Sequence, residues 1–179
     1  MNIPNALTMM RILFVPLIII FLMQGAFIKA LILFTISGIT DGLDGFLARF
    51  LNQQTELGAY LDPIADKALI ISCFVTLSVK QIIPGWLTVI VVSRDCIILI
   101  GIAILTLMSV AFQVRPSVVS KLTTLFQLVA VFAVLVVRSF ALPVGSEVLY
   151  LIFMVTAFFT AVSGLDYLIR GLRLMNKAT

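Results

Sequence analysis

Apolar residues gather into six long runs, at about 7–23, 28–50, 57–79, 86–110, 118–137 and 148–169, separated by short polar or turn-forming stretches. A helix that crosses a bilayer needs about 20 mostly apolar residues. The pattern therefore predicts an all-α, polytopic integral membrane protein with six transmembrane helices, organised as a single domain over 1–179. Asn5 is placed to cap the first helix and Pro16 to kink it. The string Asn52, Gln53, Gln54, Thr55, Glu56 separates the second run from the third, and Pro84 opens the fourth. Arg115-Pro116 precedes the fifth, and the turn residues Pro143 and Gly145 precede the sixth. The first run has no basic residue ahead of it and no small-residue cleavage pattern, so it is expected to stay as a span.

Composition sharpens this. Of the 179 residues, 62% are hydrophobic and 11% charged, against about a quarter charged in soluble globular chains, which excludes a soluble globule. Twelve basic and eight acidic residues give a net charge of +4, with the cations scattered at the ends of the runs. That distribution fits membrane topology and not a nucleic-acid-binding face. With no histidine in the chain, imidazole bases and histidine-ligated zinc are excluded, and acid–base chemistry falls to carboxylates. Cys73 and Cys96 stand in apolar runs without metal-ligand spacing and are expected to be buried packing residues.

If the N-terminus faces the cytoplasm, the inner connections and tail hold six cations, Arg49, Arg115, Lys121, Arg170, Arg173 and Lys177. The outer connections hold three, Lys29, Lys80 and Arg138. The excess of inner cations favours this orientation. It puts the polar end of the second helix and the starts of the third and fifth on one cytoplasmic side.

Five acids fall inside the predicted spans: Asp41, Asp44, Asp62, Asp66 and Asp95. An ionised side chain near the bilayer centre costs about 3 kcal/mol or more, so such residues require partners or a wet cavity, and function is the default reading. Asp41 and Asp44 are spaced i,i+3 and Asp62 and Asp66 i,i+4, so each pair shares a helix face. A short turn between the two helices makes them antiparallel neighbours and brings the pairs together. Four facing carboxylates call for divalent cations to neutralise them, and oxygen-only ligands favour Mg2+ or Mn2+. Two such ions suit displacement at phosphorus. Gly45 and Gly58 leave backbone bare beside these acids, where a flat base could approach. Gly42, Gly45, Ala48, Gly58 and Ala59 equally form a small-residue surface for close helix packing.

Asp41, then Asp44-Gly45, Ala48-Arg49, Gly58, Asp62 and Asp66 fill eight fixed positions over 26 residues. This string resembles the signature of the CDP-alcohol phosphotransferase family (CDP-alcohol phosphatidyltransferases). The resemblance implies transfer of a phosphatidyl group from CDP-diacylglycerol to an alcohol, with release of CMP, at a dimetal site in a homodimeric membrane enzyme. By the same resemblance, Asp41, Asp44, Asp62 and Asp66 hold the metals and Asp66 is also the general base. Gly45, Ala48, Arg49 and Gly58 border the nucleotide. Arg49 alternatively serves as an inside-positive anchor.

The stretches Asn5 to Arg11 and Leu61 to Lys67 look like those of the phosphatidylglycerophosphate synthase and cardiolipin synthase branches. Asn5 and Thr8 then join the nucleotide site, and Arg11 meets the acceptor phosphate. Thr8 and Arg11, one turn apart, offer a hydroxyl and a guanidinium to phosphate oxygens, or act as a helix-start residue and an interfacial anchor. Both branches use a phosphate-bearing acceptor, for which Arg94, Lys121, Thr124 and Gln127 are the further candidates; Arg94 alternatively forms a purely structural pair, and Thr124 and Gln127 alternatively bond a neighbouring helix. Because Asp95 follows Arg94 directly, the two lie on different helix faces and Asp95 is expected to pair with another helix.

The chain departs from the commoner bacterial phosphatidylglycerophosphate synthase pattern, which would carry glycine at Ser120, lysine at Thr123 and glutamate at Asp95. One cation fewer suits singly charged phosphatidylglycerol better than dianionic glycerol 3-phosphate. Ser93-Arg94-Asp95, Ser120-Lys121 and the string Thr156 to Thr160 look more like the cardiolipin synthase branch. The resemblance thus favours phosphatidylglycerol as acceptor, with glycerol 3-phosphate as the alternative. It further implies a bacterial inner-membrane enzyme among membrane lipids, its site on the cytoplasmic face. A reading from another class is an ion-coupled transporter with an Asp/Arg path. Its acids belong at mid-membrane on broken helices, whereas these cluster at one end beside a nucleotide-site signature. A non-catalytic scaffold gives no reason for four facing carboxylates.

Overall fold

The computed structural model describes the backbone over residues 3–50, 56–107, 118–143 and 145–178, and side chains over 8–41, 64–101, 118–143, 145 and 147–171. All secondary structure in these residues is helical: α1 Ile3–Met23, α2 Phe27–Phe50, α3 Glu56–Val79, α4 Gly85–Leu107, α5 Val118–Ser139 and α6 Ser146–Ala178. The all-α expectation is met, with helices on each of the six apolar runs. Two ends differ. Helix α1 starts at Ile3, so Asn5 lies inside it and does not cap it; Pro4 occupies the first turn, where its missing N–H removes no intrahelical bond. Helix α6 runs past residue 169, carried by an i,i+4 pair in which Arg170 Nε donates to Asp166 Oδ1 at 2.9 Å. Helix α1 continues through Pro16 as one element.

Three helices end in the same way. At Gly25 (φ +75°), Gln81 (φ +59°) and Ala141 (φ +44°) the chain turns left-handed. Residues Ala26, Ile82 and Leu142 then donate back across the turn to Phe21, Leu77 and Val137 carbonyls at 2.9, 2.9 and 3.2 Å. This closure satisfies carbonyls that a helix end otherwise leaves open. Lys80 Nζ adds a bond of 2.8 Å to Met23 O, tying the end of α3 to the end of α1.

The chain divides into two compact units, one of residues 1–83 with 131–144, the other of 84–130 with 145–179. In the first, α1 packs on both α2 and α3. Its core holds Ile18 and Leu22 of α1, Ala30 and Phe34 of α2, Cys73, Phe74 and Leu77 of α3, and Val134 and Leu135. In the second, α4 packs on α6, and buried residues recur at helical spacing as Leu87, Val91 and Arg94 on α4 and Phe153, Thr156, Thr160 and Ser163 on α6.

Beside this apolar core the chain buries many polar side chains and exposes many large apolar ones. Arg11 is 1% exposed while Leu13 is 66% exposed, and Val79, Leu151 and Phe158 also point outward as Thr8, Ser37, Thr76, Thr123 and Gln127 turn in. Polar groups meeting inside an apolar exterior is the arrangement that a hydrocarbon surround selects. Among the described residues, two helices are long and apolar enough to cross a membrane, Val118–Phe140 and Glu147–Gly171; Thr8–Met23 is apolar but shorter. The expectation for the cysteines holds at Cys73 but not at Cys96, which is exposed. Cys96 continues the outward stripe of Val89, Ser93 and Ile100 on α4.

Candidate active site

Among the described residues, the buried face of each of the first three helices carries a charged group. On α1, Thr8, Arg11, Ile18 and Leu22 follow one face; on α2, Ala30, Phe34, Ser37 and Asp41 do so; on α3, Asp66 lies one turn before Ile70 and Cys73. The packing that buries the apolar part of these faces therefore carries Arg11, Asp41 and Asp66 to one place. Arg11 Nη1 stands 2.7 Å from Asp41 Oδ1 and 2.7 Å from Asp66 Oδ1. The guanidinium has no solvent-exposed surface, whereas the two carboxylates are 44% and 38% exposed.

This geometry brings together Asp41 and Asp66, two of the four acids expected at the metal site. Asp44 and Asp62, with Gly45, Ala48, Arg49, Gly58 and Asn5, have side chains outside the described residues. Among the described residues no group of three potential metal ligands occurs. The chemistry of the pair nevertheless fits a hard cation: two carboxylate oxygens from different helices, each in contact with one Arg11 nitrogen and each partly open. Arg11 itself was expected at the acceptor phosphate. Its Nη1 lies between the two carboxylates. Thr8, one turn away, is buried on the same face.

A second polar cluster lies in the other unit. Arg94 Nη1 donates to Asp95 Oδ1 at 2.6 Å, Nη2 to Ser120 Oγ at 2.6 Å and to Ser163 Oγ at 2.9 Å. The Tyr167 ring lies 5.8 Å from the guanidinium carbon. Arg94 and Asp95 are both buried. Neighbouring positions thus pair, contrary to the expectation from helix faces: the long arginine side chain bends back to its neighbour because two buried charges require the nearest counter-ion. The Arg94 stem lies against α6 at Gly164, where a Cβ would meet it at an ordinary van der Waals distance of 3.5 Å.

The remaining acceptor candidates do not converge. Lys121 is exposed and Gln127 is buried, because a separation of six residues turns about 240° round a helix. Gln127 Nε2 donates to Thr160 Oγ1 at 3.3 Å, and Thr124 Oγ1 donates to the Ser120 carbonyl at 3.2 Å. Thr123 Oγ1 lies 2.9 Å from the carbonyls of both Val119 and Phe159, and Thr156 Oγ1 3.3 Å from that of Phe126. Ser163 was not among the residues expected from sequence, although Thr156, Thr160 and Ser163 form a polar stripe at i, i+4 and i+7 on an otherwise apolar helix.

A helical chain that buries an arginine against acids on neighbouring helices is narrower than its fold alone. Comparison with known proteins gives the family. Residues 1–163 match the CDP-alcohol phosphatidyltransferase family, and the chain belongs to it. It is 35% identical to a probable phosphatidylglycerophosphate synthase of Mycobacterium tuberculosis, over 96% of this chain and 82% of that one. It is 30% identical to the CDP-diacylglycerol--glycerol-3-phosphate 3-phosphatidyltransferase of Aquifex aeolicus, over 99% of both chains. It is also 34% identical to the human cardiolipin synthase (CMP-forming), over 93% of this chain and 60% of that one.

Proposed function

We propose that this chain is a polytopic membrane enzyme of six spans and one functional domain that transfers the phosphatidyl group of CDP-diacylglycerol to phosphatidylglycerol, forming cardiolipin and releasing CMP. The carrying observation is the Arg94 cluster. Of positions 95, 120 and 123, where the chain departs from the commoner phosphatidylglycerophosphate synthase pattern, the first two are joined through Arg94. Asp95 and Ser120 both bind Arg94, and Thr123 bonds across to Phe159 on α6. A glycine at 120 would remove the hydroxyl that accepts from Arg94. Thr123 stands where that pattern carries a lysine, and one cation fewer suits a singly charged acceptor better than a dianionic one.

Asp41, Asp44, Asp62 and Asp66 would hold two divalent cations, Mg2+ or Mn2+, at the cytoplasmic face. When bound, these ions neutralise diphosphate oxygens and the charge leaving with CMP. The residues of the chain do the rest. Asp66 accepts the proton of the acceptor hydroxyl as its oxygen attacks phosphorus, and the bond from phosphorus to the CMP oxygen breaks. Arg11 fixes the directions of Asp41 and Asp66 through its two 2.7 Å contacts. Gly45, Ala48, Gly58, Arg49, Asn5 and Thr8 border the nucleotide in this reading, and Lys121 offers charge to the acceptor. Two copies form the working dimer.

A second reading, phosphatidylglycerophosphate synthase, is favoured by the match over 99% of both chains with the Aquifex aeolicus enzyme. Radiolabelled phosphatidylglycerol and glycerol 3-phosphate, supplied separately with CDP-diacylglycerol and Mg2+ to purified protein, decide between them. Label from phosphatidylglycerol is expected in cardiolipin. Incorporation from glycerol 3-phosphate alone would establish the second reading instead.

A further inference from the structure

Away from the carboxylates, the first unit carries a groove of about 260 Å³ between the α1–α2 turn and the end of α5. Lys29 and Arg138 line it, with Ser139 and the apolar side chains of Phe27 and Ile28. This is just below the roughly 300–1,000 Å³ of sites that enclose drug-sized ligands, so it has room for a head group and not for a nucleotide. We propose that the groove binds the phosphate of an anionic phospholipid head group, with Lys29 and Arg138 as its charge partners.

Both cations are exposed, and neither forms an ion pair with an acid among the described residues. The Lys29 ammonium is held 5.6 Å from the centre of the Phe21 ring, which orients it without neutralising it. Ser139 Oγ has no hydrogen-bond partner among the described residues, an uncommon state for a buried hydroxyl. Helix α2 begins at Phe27, so the positive end of its dipole opens at the same place. Asp41 lies on the same helix about 18 Å further along, by the helical rise from Lys29, which separates this groove from the carboxylates.

The location selects the ligand. Arg138 lies in the last turn of a helix apolar enough to span a membrane, where lipid phosphates are the abundant anions, and Ile28 offers an apolar wall for the glycerol and first methylenes. The inference rests on the membrane reading and not on the identity of the acceptor.

Native mass spectrometry of the full chain in neutral detergent, with phosphatidylserine or phosphatidylcholine added, tests it. Neither lipid is a substrate of the proposed reaction. The wild type is expected to retain phosphatidylserine in preference to phosphatidylcholine. The double variant Lys29→Gln/Arg138→Gln is expected to bind phosphatidylserine about 30-fold more weakly, and Lys29→Arg/Arg138→Lys to keep the affinity. Lys29→Gln alone, at an exposed side chain, should give an intermediate loss and keeps the test decisive where the double variant does not fold. Unchanged affinity in the glutamine variants, equal retention of the two lipids by the wild type, or displacement of the lipid by inorganic phosphate overturns the proposal. Release of CMP from CDP-diacylglycerol is measured in parallel. Its absence in the wild type would refute the proposed reaction while leaving the lipid result to be read independently.

Discussion

Replacing Asp95 with alanine isolates the energetics of the second unit. In the wild type, the Arg94 side chain is 6% exposed and the Asp95 side chain 4% exposed, and they meet at 2.6 Å. Loss of the carboxylate leaves a buried cation whose partners among the described residues are the Ser120 and Ser163 hydroxyls, at 2.6 and 2.9 Å, and the Tyr167 ring at 5.8 Å. Removing one member of a buried pair typically costs about 3–5 kcal/mol, most of it the penalty on the charge left behind. The hydroxyls already present offset part of that, so about 3 kcal/mol is expected. Removing both charges, as Arg94→Met/Asp95→Leu, removes the penalty with its cause and should recover most of the loss. Ser163→Ala deletes a hydroxyl bonded to a charged group and should cost about 1.5 kcal/mol, less than the acid does. Equilibrium unfolding in mixed detergent micelles, with SDS as denaturant, measures all of these on one scale. Should Asp95→Ala unfold at the wild-type SDS fraction, or the double variant be less stable than Asp95→Ala, the reasoning that the acid neutralises Arg94 is refuted.

Three further outcomes are expected. Arg11→Gln removes the cation between Asp41 and Asp66; because both acids are partly exposed, the loss should be about 1–2 kcal/mol in chelator. Mg2+ should raise the melting temperature of that variant more than that of the wild type, and an equal metal response in the two would show that Arg11 and a metal do not share the carboxylates. Asp66→Asn is expected to slow CMP release by about 10²–10⁴-fold while the protein stays inserted, and a near-normal rate would remove the proton-acceptor assignment. Gly25→Ala has open space around its Cβ but a φ of +75°, so it should destabilise by about 1 kcal/mol; Gly38→Ala, in equally open space inside α2, should stabilise by up to about 1 kcal/mol. Thermal melts of the two glycine variants giving the same sign would refute the backbone explanation.

The helices were legible because a long apolar run has few alternatives to a helix, and their ends less so because capping is local and several residues can serve. The N-terminal end of α1 shows this: Asn5 looks like a cap in isolation, but the helix already includes Pro4. The unit boundaries were not legible, since the second half of α5 joins the first unit with no change in composition to mark it. At the site, Asp41 and Asp66 meet at one Arg11 nitrogen, a partnership for which the spacing of the acids gave no guide. By its chemistry alone Arg11 is a phosphate partner, yet it lies seven and eleven residues before Ile18 and Leu22, on the face that is buried. That register already implied an enclosed cation.

The rule that singled out the acids, the cost of charge in an apolar surround, applies equally to the cations, and applied to both signs it sorts them. Arg11 and Arg94 are enclosed and each is met by carboxylates. Lys29 and Arg138 are exposed near helix ends without such partners among the described residues. The first two therefore organise the interior, one beside the acids of the family signature and one across α4 and α6. The helix-face rule failed at Arg94 and Asp95 because it locates Cβ atoms, while an arginine delivers its charge several bonds away. For long side chains in a membrane-type core, the position of the nearest opposite charge is the stronger constraint, and it is this constraint that ties Asp95, Ser120 and Ser163 to a single guanidinium.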